Sequence, residues 1–193
     1  MSEFESMPRT KNYNEQEVVE KAMNLFWRNG YETTSMQMLE KEMGINKFSI
    51  YSSFGSKDGL FMASLKCYKQ KLYKLIDDLK ASPSSIAGIK HYFYEFIEFT
   101  KVTDFGKGCL ITNTANEIRE DCEDCIKDLL SRFTNEVKEV FAEKLRKDNT
   151  KTEALIEQQA DYLLISMFGL SSATRIFTRK QLENYIENIF KDL

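Results

Sequence analysis

Between residues 60 and 79 the apolar side chains return at steps of three and four: Leu60, Phe61, Leu65, Tyr68, Leu72, Leu75 and Leu79. A strand brings every second residue to one face, whereas a helix brings every third or fourth, so this stretch covers a core as a helix of residues 57–80. The same spacing recurs down the chain. Val18, Ala22, Leu25 and Phe26 make a stripe over residues 15–29. Cys122, Ile126, Leu129, Phe133, Val137 and Val140 make another, and Ile156, Ala160, Leu163, Leu164, Met167 and Phe168 mark residues 152–175. Leu182, Tyr185, Ile186, Ile189 and Phe190 mark residues 179–192. No alternating Val/Ile/Thr run lies between turn pairs, and only eight Gly and two Pro interrupt 193 residues. The expected fold class is all-α, with about nine helices.

Start and stop signals divide the pattern further. Asn14 precedes the first helix with Glu17 three residues on, and Gly30 ends it. Thr34 with Gln37 predicts the cap of a second, short helix that Gly44 terminates in a left-handed turn. Asn46 caps a third, in which only Ile50 and Phe54 point inward. Ser82 and Pro83 suit the first turn of a fifth helix, carrying Tyr92, Phe93, Tyr94, Phe96 and Phe99. Residues 104–108 form a loop, 109–118 a short helix of small and polar residues, and Asp148-Asn149 a turn. Thr178 with Gln181 caps the last helix.

Length and a 42 % hydrophobic composition support a small domain joined to a larger one. The boundary is expected at residues 56 and 57, with helix 57–80 bridging domains 1–56 and 57–193. The N-terminal MSEFESMPRTK has no apolar stretch of the signal-peptide kind, and the longest nearly apolar run, 162–170, is too short for a bilayer. A cytoplasmic protein with no membrane partner is expected, its four Cys mostly reduced. The formal charge is −3, yet residues 45–76 hold six Lys against one Asp, a cationic segment suited to a polyanion or to a solvated helix face.

Two short helices joined by a Gly-containing turn, behind an amphipathic helix, make the unit that sets a recognition helix into the major groove. A recognition helix needs few core anchors and leaves its polar residues free, as "NKFSIYSSF" at 46–54 does. Lys47 suits guanine or a phosphate, Ser49 and Ser52 suit either, and the Tyr51 hydroxyl suits a phosphate. Thr34 and Lys57 stand at helix N-termini, where backbone N–H groups grip phosphates. A plain three-helix packing unit explains the periodicity equally well.

Residues 14–61, above all "GYETTSMQMLEKEMGINKFSIYSSFGSKDGLF" at 30–61, resemble the DNA-binding region of the TetR family of bacterial transcriptional regulators. Phe26, Gly30-Tyr31, Thr34, Leu39, Gly44-Ile45, Ile50-Tyr51, Phe54, Ser56-Lys57 and Leu60 carry the match in register. The resemblance implies an all-helical fold, an N-terminal helix-turn-helix domain, and a C-terminal ligand-binding and dimerisation domain. It also implies a homodimer joined by helices 152–175 and 179–192. That dimer binds a palindromic double-stranded DNA operator and leaves it when a small-molecule effector fills a C-terminal cavity. Lys47, Ser49, Tyr51 and Ser52 fall on recognition-helix positions, and Thr34 and Lys57 on phosphate-contact positions. Phe48 departs from the pattern, which usually places a small residue there. Its ring suits contact with a thymine methyl group or else alters the approach of the helix to DNA, and in either case the operator sequence is expected to differ from those of relatives. Arg9 and Lys11 suit backbone contacts from an N-terminal arm.

The segment "GKGCLITNTANEI" at 106–118 resembles a stretch that borders the ligand cavity in one branch of the family. By that resemblance Cys109, Thr112, Asn113 and Asn116 line a cavity together with Tyr92, Phe93, Phe96 and Phe168; a plain aromatic core is the alternative. Cys122 and Cys125 have C-x-x-C spacing, but one His and no second Cys pair leave no metal site to complete. No cofactor is expected. If Cys109 lay near a cation its thiolate would be favoured and an electrophile or oxidant could signal there. An enzyme would have to rest on Cys109 and His91, the one nucleophilic pair available, and catalysis is not expected. A helical adaptor without operator binding is the remaining class, since residues 1–60 carry seven basic against nine acidic side chains.

Overall fold

The computed structural model describes residues 13–101, 106–117 and 124–193. Arg9, Lys11, Cys122 and the side chain of Cys125 lie outside the described residues. Among those described, nine helices follow one another: α1 (Glu15–Asn29), α2 (Met36–Met43), α3 (Lys47–Phe54), α4 (Lys57–Ala81), α5 (Ile86–Thr100), α6 (Leu110–Glu117), α7 (Asp124–Leu145), α8 (Glu153–Ala173) and α9 (Arg179–Ile189). Their only β-type pairing is a single bridge between Lys101 and Gly106.

The helices start where short polar side chains can take up the free N–H groups. Asn14 accepts from the Gln16 and Glu17 N–H groups, Asn46 from Ser49, Ser56 from Gly59 and Thr152 from Leu155. Thr178 and Gln181 form a reciprocal capping box on α9. At α2 the cap is Ser35, which accepts from the Met38 N–H, and not Thr34. Either residue suits the role by type, and packing decides: Thr34 is buried, its hydroxyl donating to the Gly30 carbonyl at 2.6 Å. Pro83 does not open α5, which starts at Ile86 behind Ser85. On α4 the buried stripe passes through Ile76, while Leu75 is half-buried, because the helix turns slightly less than the three-four pattern assumes.

α1 lies along the first half of α4, with Phe26 edge-on to Phe61 at 4.9 Å and Trp27 edge-on to Tyr68 at 4.9 Å. α2 and α3 close this end. The second half of α4 joins α5, α7 and α8 around Tyr92, Phe93 and Phe141, and Phe190 after α9 packs edge-on to Phe93 at 5.1 Å. The buried Lys144 of α7 closes the far end of α4, donating to the carbonyls of Lys80 at 3.0 Å and Ser82 at 2.5 Å. These are two of the carbonyls a helix leaves open.

Gly59, in the first turn of α4, lets that turn sit directly under the end of α3: a Cβ there would overlap the Phe54 carbonyl oxygen. Gly59→Ala is expected to lower the unfolding free energy by about 1–3 kcal/mol, read by chemical denaturation. An unchanged midpoint would show that this junction has slack.

Candidate nucleic-acid interface

α2 and α3 meet at a turn built from two backbone requirements. Gly44 is left-handed, with φ 71°, and its N–H returns to the Glu40 carbonyl at 2.9 Å. Ile45 then packs against the core as a half-buried plug. The Asn46 side chain accepts from the Ser49 N–H at 2.9 Å, and the Glu40 carboxylate accepts from the Lys47 N–H, so α2 itself caps α3. A second left-handed glycine, Gly55 with φ 75°, ends α3 and turns the chain into α4.

Only Ile50 of α3 is fully buried, with Phe54 half-buried beside it. Lys47, Phe48, Tyr51 and Ser52 are exposed, and the Phe48 ring stands 76 % open. The Lys47 ammonium lies 5.5 Å from the Tyr51 ring centroid. Ser49 is half-buried, and the Tyr13 hydroxyl reaches its carbonyl at 3.4 Å and the Ser53 hydroxyl at 2.6 Å, tying the chain before α1 to the back of α3. Thr34 differs from expectation: fully buried and bonded to Gly30, it holds the α1–α2 turn, and Ser35 is the exposed side chain at the start of α2.

Lys57 opens α4 with its ammonium 4.3 Å from the Tyr31 ring centroid, a cation over an aromatic face. Partial burial lowers its pKa, while the carboxylates of Glu32, Asp58 and Glu117 work in the opposite direction. The Tyr31 hydroxyl donates to Asp58, and the Tyr31 N–H donates to the Glu117 carboxylate at 2.7 Å. Ser35, Glu40 and Glu117 were not marked by sequence spacing. A Ser beside a Thr, and carboxylates that act on helices far along the chain, leave no periodic signal.

Tyr92, Phe96, Cys109, Thr112 and Phe168 do border one cavity, between α4, α5, α6, α7 and α8, of about 20 Å³. That volume holds about one water molecule. Three expected lining residues lie elsewhere. Phe93 packs on Phe141 and Phe190, the Asn113 amide donates to the Lys107 carbonyl at 2.9 Å, and Asn116 is exposed. Burial pushes the Cys109 thiol up, only partly offset by the Tyr68 hydroxyl and by the Thr112 and Ile111 backbone, so near neutral pH it is a thiol and not a thiolate. His91 is exposed beside Glu95 while Cys109 is buried, so the two form no dyad. Among the described residues no group of His, Cys, Asp and Glu could hold a metal ion, and no helix is long and apolar enough to cross a membrane.

A capped two-helix turn that presents Lys47, Phe48, Tyr51 and Ser52 outward has the form of a helix-turn-helix unit. Residues 18–63 match the family described as bacterial regulatory proteins, tetR family. The uncharacterised HTH-type transcriptional regulator YezE of Bacillus subtilis is 32 % identical over 112 residues, spanning 58 % of this chain and 58 % of YezE, less than two thirds of its length. The HTH-type transcriptional repressor ComR of Escherichia coli is 25 % identical over 88 % of this chain and 83 % of ComR. In three dimensions the chain is similar to a cysteine-substituted form of the TetR-family regulator CifR bound to 26-bp operator DNA, with a TM-score of 0.83 and 26 % identity over 96 % of this chain and 99 % of CifR. Residues 18–63 thus carry the tetR-family DNA-binding signature, and over nearly its whole length the chain is similar in fold to a TetR-family regulator.

Alkylation of the native protein at neutral pH, mapped by peptide mass, should leave Cys109 unmodified and label it only after denaturation. Fast labelling of native Cys109 would contradict a buried, protonated thiol.

Proposed function

We propose that the chain is a homodimeric repressor that reads a palindromic operator with α3 and leaves it when a small molecule binds the C-terminal helices. The observation that carries the reading is the outward face of α3, where an aromatic ring and a lysine stand exposed on a helix anchored by one buried side chain. Lys47 and Phe48 meet base edges, and Ser49, Tyr51, Ser52 and Lys57 meet phosphates or bases around them. ComR is named a repressor and CifR was solved on operator DNA, which supports repression through operator binding here. Residues 1–56 form the reading domain, residues 57–193 the ligand and dimer domain, and α4 belongs to both. The protein works in the cytoplasm, where its DNA is.

The dimer uses α8 and α9. Ile165 and Ile176 are 70 % and 71 % exposed, Tyr162 and Phe177 stand open beside them, and a groove of about 340 Å³ runs along Gly169, Ala173, Leu182 and Tyr185. Contiguous apolar surface of this kind marks a protein interface, and two-fold pairing of α8 and α9 covers it. The effector enters between α4 and α8 near Tyr92, Cys109 and Thr112. It binds a conformation in which the small cavity has grown, and so stabilises the released state.

Gel-shift titration of the purified protein on the DNA flanking its own gene should show one site, with affinity falling steeply as salt rises. Lys57→Ala should weaken all sequences alike, and Phe48→Gly should change which sequence is preferred. Absence of any site-specific shift would favour a helical adaptor. The double change Ile165→Asp with Ile176→Asp should convert the dimer to monomer in sedimentation and weaken operator binding roughly a hundredfold. A dimer that persisted would place the interface elsewhere.

A further inference from the structure

The helix α6 reaches from the small cavity to the DNA-reading end of the molecule. At its start, Cys109 and Thr112 border the cavity, and the Cys109 N–H donates to the Ser171 hydroxyl of α8 at 2.8 Å. The preceding Gly108 carbonyl accepts from the Trp27 indole of α1 at 2.9 Å, with the Lys107 ammonium 4.8 Å from the Trp27 ring centroid. Eight residues later, about 12 Å along the axis, the Glu117 carboxylate lies in the turn between α1 and α2. It accepts from the Tyr31 N–H at 2.7 Å and fills the space that a side chain at position 30 would need. Gly30 is required there twice, by its φ of 84° and by this carboxylate.

Tyr31 passes the contact on. Its ring lies under the Lys57 ammonium and its hydroxyl bonds Asp58, so the first turn of α4 rests on a residue whose backbone Glu117 holds. The Glu117 charge also favours the ammonium of Lys57. A carboxylate accepting a backbone N–H is a strong, directional contact. A shift of α6 as short as an ångström lengthens it beyond hydrogen-bond range.

We propose that Glu117 is a positioning residue for DNA binding: its bond to the Tyr31 N–H sets the seat of Lys57. The proposal rests on the repressor reading above and deepens it by naming the contact that holds the Lys57 end in place. It differs from a purely structural tie in that its loss alters the Lys57 phosphate contact while α7, α8 and α9 keep their packing.

The test compares the full-length protein with Glu117→Ala and Glu117→Gln. Amide hydrogen exchange read by NMR should be roughly tenfold faster or more at Tyr31 in Glu117→Ala, with exchange in α7–α9 unchanged. Affinity for the duplex flanking the protein's own gene should fall roughly tenfold, and the slope of log affinity against log salt should become shallower by about one per subunit. Glu117→Gln keeps an acceptor oxygen and should recover most of the Tyr31 protection. Unchanged exchange at Tyr31 in Glu117→Ala overturns the proposal, and so does faster exchange with unaltered affinity and salt slope. If the unaltered protein binds no duplex, the repressor reading fails, and the exchange comparison still decides whether Glu117 seats Tyr31.

Discussion

The helix α3 has one fully buried side chain, Ile50, because the rest of its surface is polar or turned outward and gives no second apolar side to the core. Burial of one such side chain contributes about 1.5–3 kcal/mol, too little to fix an eight-residue helix that is marginal by itself. The rest of the domain supplies what is missing. Asn46 and Glu40 cap the start of α3, Tyr13 ties down its back, and Gly55, Ser56 and Gly59 fold its end onto α4. Every one of these holds backbone or the hidden face, and so leaves Lys47, Phe48, Tyr51 and Ser52 free.

The same constraint explains why α4 is long. Its first turn braces α3 and its next two turns pack Leu60, Phe61, Leu65 and Tyr68 against α1. Its second half belongs to the core around Leu72, Tyr92 and Phe133. A helix pair that cannot hold itself up is thus mounted on the element that also walls the cavity. α6 makes the second crossing between the two ends, through Trp27 and Tyr31.

Most of this architecture is legible in the sequence because it follows from local rules. The stripe of three-four steps places α4 within a residue of its observed ends, and Asn14, Asn46 and Thr178 cap the helices that their types and offsets predict. Local rules fail where two candidates are chemically alike or where distant segments decide. Thr34 and Ser35 are both good caps, and burial beside Gly30 takes Thr34 out of the role. Phe93 and Asn113 look like cavity residues by composition, yet Phe190 and Lys107, far along the chain or in a loop, claim them. Glu117 carries no periodic mark, since its partner, the Tyr31 N–H, is 86 residues away. Cys109 has the neighbours of a cavity thiol, but its burial keeps the proton on sulfur.

The central claim is that a pair of α3 helices reads one DNA site. Hydroxyl-radical footprinting of the purified protein on the duplex flanking its own gene tests this at base-pair resolution. The account predicts two protected patches related by a two-fold axis on one face of the duplex, their centres about one helical turn or a whole multiple of it apart. Uniform protection along the duplex, or a single unpaired patch, would contradict it.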